Sequence, residues 1–386
     1  MSRMANRMAT PRDFPLDPTA SFCAAALLLM GWIMVASASS EISARLHENA
    51  FWLFEKHLLF ALVGLIAAAV TLAIPVSLWY RFDWVLLLLA MLLLVMVLVP
   101  GLGREVNGST RWIPVGPFSI QSAEFAKLFS IVYMAGYLVR RQVEVKEQAL
   151  SFLKPLLLMS VIVVLLLAQP DFGSAVVIMA AIMGMIYLAD VPVKSFFPVI
   201  VLGLAAALAI ALLQPYRLER FATFINPWKY QYDAGYQLTQ ALIAFGRGEL
   251  FGVGLGNSIQ KLFYLPEAHT DFLFSIVAEE LGVPGAILLV FLVSCLIVRG
   301  IFIGLSAYRQ QQVFGAYLAY GVSLLIAIQA LINFGVNLGL LPTKGLTLPL
   351  VSFGGNSLIV SCVLVALLLR IDYETKYFPV GRNRRA

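Results

Sequence analysis

The sequence predicts an all-α polytopic membrane protein with ten transmembrane helices. Both termini are expected in the cytoplasm, with a large external loop between spans seven and eight. Three observations carry this. Of 386 residues, 61% are hydrophobic and only 12% charged, about half the charged share of an ordinary soluble domain. Apolar runs approaching the roughly 20 residues needed to cross ~30 Å of hydrocarbon recur along the chain. Lys and Arg divide unevenly between alternate connecting segments, 16 on the side of the termini and 11 on the other, where 5 sit in a single loop. That bias places the termini inside. The net charge of +6 forms no basic stripe on a soluble face, so no nucleic-acid partner is expected.

The spans are expected near 19–39, 55–74, 83–100, 123–139, 153–168, 173–189, 196–213, 271–298, 313–334 and 356–370. Residues 1–18 form a cytoplasmic tail, 19–371 the membrane domain and 372–386 a second cytoplasmic tail whose basic end suits anionic lipid. Ala36-Ser37-Ala38 resembles a signal-peptidase site, but the run before it is longer than an ordinary signal core, and an uncleaved first span is the better reading. Cys23, Cys295 and Cys362 lie inside apolar runs and read as small buried hydrophobes. His47, His57 and His269 have no zinc-like spacing.

Two external segments break the apolar pattern. Pro100 to Lys127 is rich in Gly, Pro and Asn, with Trp112 suited to the headgroup level. The loop 214–270 is too long for a connector. Within it Leu238, Leu242 and Phe245 form one apolar stripe, which predicts a short helix in the interface. The following GRGELFGVGLGNS holds five glycines in eleven residues. No strand precedes it, so it reads as a flexible, close-packed external loop rather than a phosphate cradle.

The charges at the membrane boundary are the candidates for chemistry. In HTDFLFSIVAEE, Thr270 is the expected N-cap of the eighth span and Asp271 falls in its first turn. A carboxylate there either complements the helix dipole or, at the outer boundary, takes a proton from a sugar hydroxyl. Glu279 and Glu280 lie deeper, near Pro284, where the helix should bend and where ion pairing is the plainer account. Glu124 and Lys127 share a helix face and can pair. Asp171 opens the sixth span, Arg111 and Lys56 lie near the same boundary, and Lys344 sits in a Gly/Pro-interrupted segment. Singly these are capping or snorkelling charges; together they make an outward-facing set of both signs. His269 is either an exposed loop histidine or a neighbour that tunes Asp271 or binds a metal with it.

The stretches NGSTRWIPVG, FGRGELFGVGLGNSIQKLFYLPEAHTDFLFSIVAEELG, LLPTKGLTLPLVSFGGNSL and the late RIDYET together resemble the SEDS family of bacterial cell-wall polymerases. LPEAHTDF and GLTLPLVSFGGNSL look like the division branch, FtsW, more than the elongation branch, RodA. Phe263 departs from a glutamate carried by some division-branch members. The resemblance implies a peptidoglycan glycosyltransferase acting on lipid II in the bacterial cytoplasmic membrane, at the division septum. It implies that Asp271 is the essential external aspartate, that Trp112 is the functional tryptophan, and that Glu124 and Lys127 are the acid–lysine pair. It implies as partners a class B penicillin-binding protein, the septal transpeptidase, and other division-complex membrane proteins. No metal cage is evident, so any divalent cation is expected with the substrate pyrophosphate. Arg111, Asp171, His269 and Lys344 complete the expected substrate-binding set. Two other classes of function suit the same charges: a lipid II flippase, and a non-catalytic scaffold for the transpeptidase. The two halves of the chain show no matching charge pattern, so an inverted-repeat transporter gains no support.

Overall fold

The computed structural model describes residues 16–106, 109–116, 118–147, 153–190, 198, 201, 203, 223–343 and 345–378. Its helices are α1 (Pro18–His47), α2 (Trp52–Ala73), α3 (Val76–Arg81), α4 (Asp83–Leu98), α5 (Ser122–Arg140), α6 (Gln142–Glu147), α7 (Leu153–Ala168), α8 (Phe172–Leu188), α9 (Tyr236–Gly248), α10 (Leu273–Arg309), α11 (Val313–Asn337) and α12 (Gly355–Tyr377). Five are long and apolar enough to cross a membrane: α1, α2, α10, α11 and α12. Helices α4, α7 and α8 are apolar but shorter, and α5 carries Glu124 and Lys127 inward. The expected seventh span, 196–213, lies almost wholly outside the described residues.

Apolar side chains face both ways, as a lipid solvent allows. Leu62, Ile66, Leu88, Leu92, Ile287 and Phe291 point outward. Inside, Leu94, Ile131, Met134, Ile178, Met185 and Tyr317 join α4, α5, α8 and α11 in one core. Leu27, Met34, Ile276, Leu289 and Val351 join α1 and α10 in a second, to which α12 contributes Leu358 and Cys362. The three cysteines are free.

Polar contacts concentrate at the two ends of the bundle. At one end Asp17 pairs with Arg299 and Asp83 with Arg140, and the Arg370 Nη1 donates to the Leu72 carbonyl at 2.7 Å. The other end holds the candidate residues. There, 104–121 folds into an antiparallel meander of β1 (Arg104–Val106), β2 (Ser109–Val115) and β3 (Phe118–Gln121). The Gly, Pro and Asn pattern excluded helix from this segment, but these strands are too short to be read from sequence. Trp112 pairs with Arg104 on one side and Gln121 on the other. Asn356 at the start of α12 donates to the Ser119 carbonyl at 2.7 Å and ties the sheet to the bundle.

The loop helix forms as expected, as α9, and it packs onto α10, with Phe245 edge-on to Phe274 at 5.4 Å. Helix α10 breaks at Gly282 (φ 65°, ψ −160°), two residues before Pro284. The glycine-rich stretch fills this break. A Cβ on Gly252 would lie 2.3 Å from the Glu280 carbonyl oxygen, and one on Gly282 would lie 2.5 Å from the Gly252 nitrogen. Both residues have positive φ, so glycine is required for the backbone approach itself.

Candidate active site

Asp271 stands in the turn before α10, at the end of the bundle that carries the sheet. The expected cap is not there. Thr270 Oγ1 donates to Glu267 Oε2 at 2.7 Å and to the Glu267 carbonyl at 3.1 Å, and α10 starts at Leu273 with no side-chain cap. Asp271 therefore precedes the helix, and capping does not explain its carboxylate. Among the described residues its side-chain oxygens accept no hydrogen bond.

What is fixed is the backbone. Asn333 Nδ2 and Asn337 Nδ2 both donate to the Asp271 carbonyl, at 2.9 and 3.0 Å. Asn333 also donates to the Leu346 carbonyl at 2.6 Å, and Asn337 Oδ1 accepts from the Ser275 amide and hydroxyl at 3.1 and 2.7 Å. Two amides on α11 thus clamp the Asp271 turn against the segment 345–348. Gly345 completes the contact: a Cβ there would lie 2.8 Å from Asp271 Oδ2.

The carboxyl of Asp271 is pushed up to about 7, first by burial, then by the nearby charge of Glu267; the Arg111 guanidinium pulls the other way. The residue is half-buried, so an open side remains. Arg111 is held by the loop between α7 and α8. It donates to the Gln169 carbonyl at 3.3 Å and the Pro170 carbonyl at 2.5 Å, and lies 3.9 Å from Asp171. Asp171 caps α8, accepting from the Ser174 amide at 3.2 Å and hydroxyl at 2.8 Å. Trp112 follows Arg111 on β2 and so faces the other side of the sheet.

Glu124 and Lys127 pair at 2.8 Å, with exposures of 5% and 1%. Lys127 also donates to Gln329 at 3.0 Å, and Gln329 donates to the Thr347 carbonyl at 3.0 Å. The pair therefore braces the same 345–348 segment from below. His269 is buried and tilted against Phe353 at 5.5 Å. Burial lowers its basicity, with Glu267 opposing. Lys344 lies outside the described residues.

Glu279 and Glu280 belong to a different cluster. Glu279 accepts from Ser258 Oγ and the Ile259 amide and lies 3.7 Å from Arg247; Glu280 pairs with Lys261 at 3.0 Å and accepts from Ser37 at 2.7 Å. Their partners come from the long loop and α1. The cluster locks that loop to the break in α10.

Sequence reasoning missed Gln329, Asn333 and Asn337. Their signal was present: three amides spaced by four residues within an apolar span, which puts one polar stripe on one helix face.

A family model described as cell cycle protein, covering FtsW, RodA and SpoVE, matches residues 18–377. The chain belongs to this family. Among its relatives, the probable peptidoglycan glycosyltransferase FtsW of Pseudomonas fluorescens is 51% identical over 368 residues, covering 95% of this chain and 90% of that one. The protein of the same name from Hahella chejuensis is 52% identical, covering 96% and 92%. Among solved structures, the family fold recurs in a chain from a study of how a peptidoglycan synthase complex coordinates polymerization and crosslinking. That chain has a TM-score of 0.77 and 27% identity, with 94% and 99% coverage. The rod-shape-determining protein RodA of Thermus thermophilus matches with a TM-score of 0.69 and 27% identity, covering 96% and 99%. The family match runs through every described element from α1 to α12, including the Asp271 turn and the amide stripe of α11.

Proposed function

We propose that this chain is a peptidoglycan glycosyltransferase that polymerises lipid II during cell division, with Asp271 as general base. The chain crosses the bacterial cytoplasmic membrane ten times with its termini inside, so the Asp271 end faces outward. The observation that carries the base assignment is the Asp271 carboxyl. It is half-buried, accepts no hydrogen bond from the described residues, and is pushed up to about 7, first by burial and then by the charge of Glu267. A base works best when its pKa lies near the working pH.

Both substrates carry lipid anchors, so the reaction belongs at the bilayer surface. Asp271 takes the proton of the acceptor sugar hydroxyl as that oxygen bonds to the anomeric carbon of a second lipid-linked chain. The bond from that carbon to the pyrophosphate oxygen breaks, and the lipid pyrophosphate leaves with the electron pair. Arg111, whose field reaches Asp271, is suited to the negative charge that develops on the leaving group. Any divalent cation is assigned to the pyrophosphate itself, whose oxygens suit a hard cation.

The flippase reading takes Glu124, Lys127, Asp171, Glu279 and Glu280 as a headgroup path. Each of these charges has an ion-pair partner, which supports a bracing role for them instead. The partner is proposed to be a class B penicillin-binding protein, because the solved relative comes from a study of coupled polymerization and crosslinking. The test is glycan synthesis from defined lipid II by the purified protein with that partner. Asp271→Asn should abolish polymer while leaving expression and partner binding intact. Polymer at the wild-type rate from the Asn variant removes Asp271 as base.

A further inference from the structure

We infer that the end of the bundle opposite Asp271 carries a binding site for the phosphate headgroup of an anionic glycerophospholipid. A cavity of about 260 Å³ opens there between α10 and α12. Its lining includes Arg299, Phe302, Ser306 and Arg309 from α10, with Asp372 and Lys376 from α12. The α10 residues recur at steps of three and four, so they form one face, and Asp372 and Lys376 share a face of α12.

Charge gives the ligand its sign. Arg299 donates Nε and Nη2 to the buried Asp17, at 2.9 and 2.5 Å, which leaves its Nη1 without a hydrogen-bond partner among the described residues. Lys376 lies 2.5 Å from Asp372 and 3.9 Å from Asp17. Arg309 is exposed and has no ion-pair partner among the described residues. Three cations thus face two carboxylates. The exposed Ser306 hydroxyl adds a neutral donor. A free guanidinium, a half-used one and a hydroxyl match the oxygens of a phosphodiester.

Position gives the ligand its tail. Arg299 ends the uncharged run of α10 from Leu281 to Val298, which at 1.5 Å per residue is about 27 Å long, close to the ~30 Å depth of the hydrocarbon. The cavity therefore begins where the inner headgroups begin. Its rim carries Phe302, 55% exposed, which continues the lipid-facing row of Val298 and Ile301. An acyl chain can lie along that row while the phosphate enters the cavity. By charge, the two ends of the chain are poor occupants. Residues 1–15 carry Arg3, Arg7 and Arg12 against Asp13, and 379–386 carry Arg382, Arg384 and Arg385. Both ends share the sign of the cavity, and both add to the pull of an anionic bilayer.

The test uses the full chain, delipidated in detergent. It is titrated with dioctanoyl-phosphatidylglycerol, with the phosphatidylcholine of equal length, and with inorganic phosphate as competitor, and bound lipid is counted by native mass spectrometry. The wild type should retain one phosphatidylglycerol in preference to phosphatidylcholine, and Arg309→Gln with Ser306→Leu should weaken that retention about tenfold. Both substituted residues are exposed, and an unchanged melting temperature will show that the variant folds. Equal retention of the two lipids, equal retention by the variant, or displacement by equimolar phosphate each overturns the assignment. Binding in detergent is blind to membrane orientation and to polymerisation, so its failure and a failure of the glycosyltransferase reading are separate results.

Discussion

Ionisation of Asp271 should oppose folding and drive catalysis, and both effects can be read from one pH series. Its carboxyl is raised from an ordinary 3.8 to about 7. At 1.36 kcal/mol per pH unit, holding the ionised form in the folded state costs about 4 kcal/mol. That is a ceiling, since the residue keeps an open side and solvent screens part of the effect. The direction follows from linkage. Between the two values the folded protein holds a proton that the unfolded chain has released, so stability falls as pH rises from about 4 to 7. Above 7 the full cost applies. Asp271→Asn removes it. The Asn variant should therefore melt above the wild type at pH 8, with the gap narrowing as pH falls through 7 and closing near 4.

Catalysis should show the opposite sign. Only the carboxylate can accept the proton, so the wild-type rate of glycan synthesis should fall about tenfold per unit below a midpoint near 7. The neighbours should move that midpoint. Glu267→Gln removes a charge that raises the value and should shift the limb to lower pH; Arg111→Gln should shift it higher. Polymerisation from lipid II in buffers from pH 5 to 9, followed by gel analysis of glycan length, reads all three. A rate flat across that range, together with identical melting of Asp271 and Asn proteins at pH 8, would refute the reasoning.

Three further outcomes follow from the contacts. Glu124→Ala strands the Lys127 ammonium in a site 1% exposed, so it should cost about 3–5 kcal/mol, whereas replacing both residues by apolar ones should cost far less; yields of folded protein after detergent extraction compare the two. Gly345→Ala places a methyl 2.8 Å from Asp271 Oδ2 and should reduce polymerisation severely with normal expression, measured with lipid II at saturation. Asn333→Leu leaves the Leu346 carbonyl without its side-chain donor and the Asp271 carbonyl with Asn337 alone, at about 1–3 kcal/mol for the unmet group, and should lower the maximal rate at least about tenfold, read in the same assay with partner binding as the control.

The membrane class and most helices were legible because apolar length is a strong and local signal. Nine of the ten expected spans fall on helices among the described residues. The positions of Asp271, Glu124 and Lys127 were legible as charges where lipid makes charge costly. The short sheet was not, because strands of three, seven and four residues around Trp112 have no periodicity long enough to detect. Thr270 looked like a cap because Thr before an apolar run usually is one. Here Glu267, in a left-handed conformation (φ 57°), claims the Thr270 hydroxyl first. The glycine-rich loop was read correctly as close-packed, but its docking partner was hidden. Nothing local says that Lys261 will meet Glu280 and Ser37.

The amide stripe of α11 shows how the site can be both fixed and basic. A carboxylate gripped through its own oxygens would be well placed but weakened as a base, because each hydrogen bond to the charged form lowers its pKa. Asn333 and Asn337 grip the main-chain carbonyl of Asp271 instead. The turn is held at two points, and the side-chain oxygens are left to burial and to Glu267, both of which raise the pKa. Gly345 then sets a wall that lies against Oδ2. Gln329 joins the same stripe to the Glu124–Lys127 pair directly, accepting from Lys127 while donating to the Thr347 carbonyl. Position is therefore set from the backbone and from α11, and basicity from the surroundings of the carboxyl. A substitution in the stripe should change the rate without moving the pH midpoint, and one at Glu267 or Arg111 should move the midpoint.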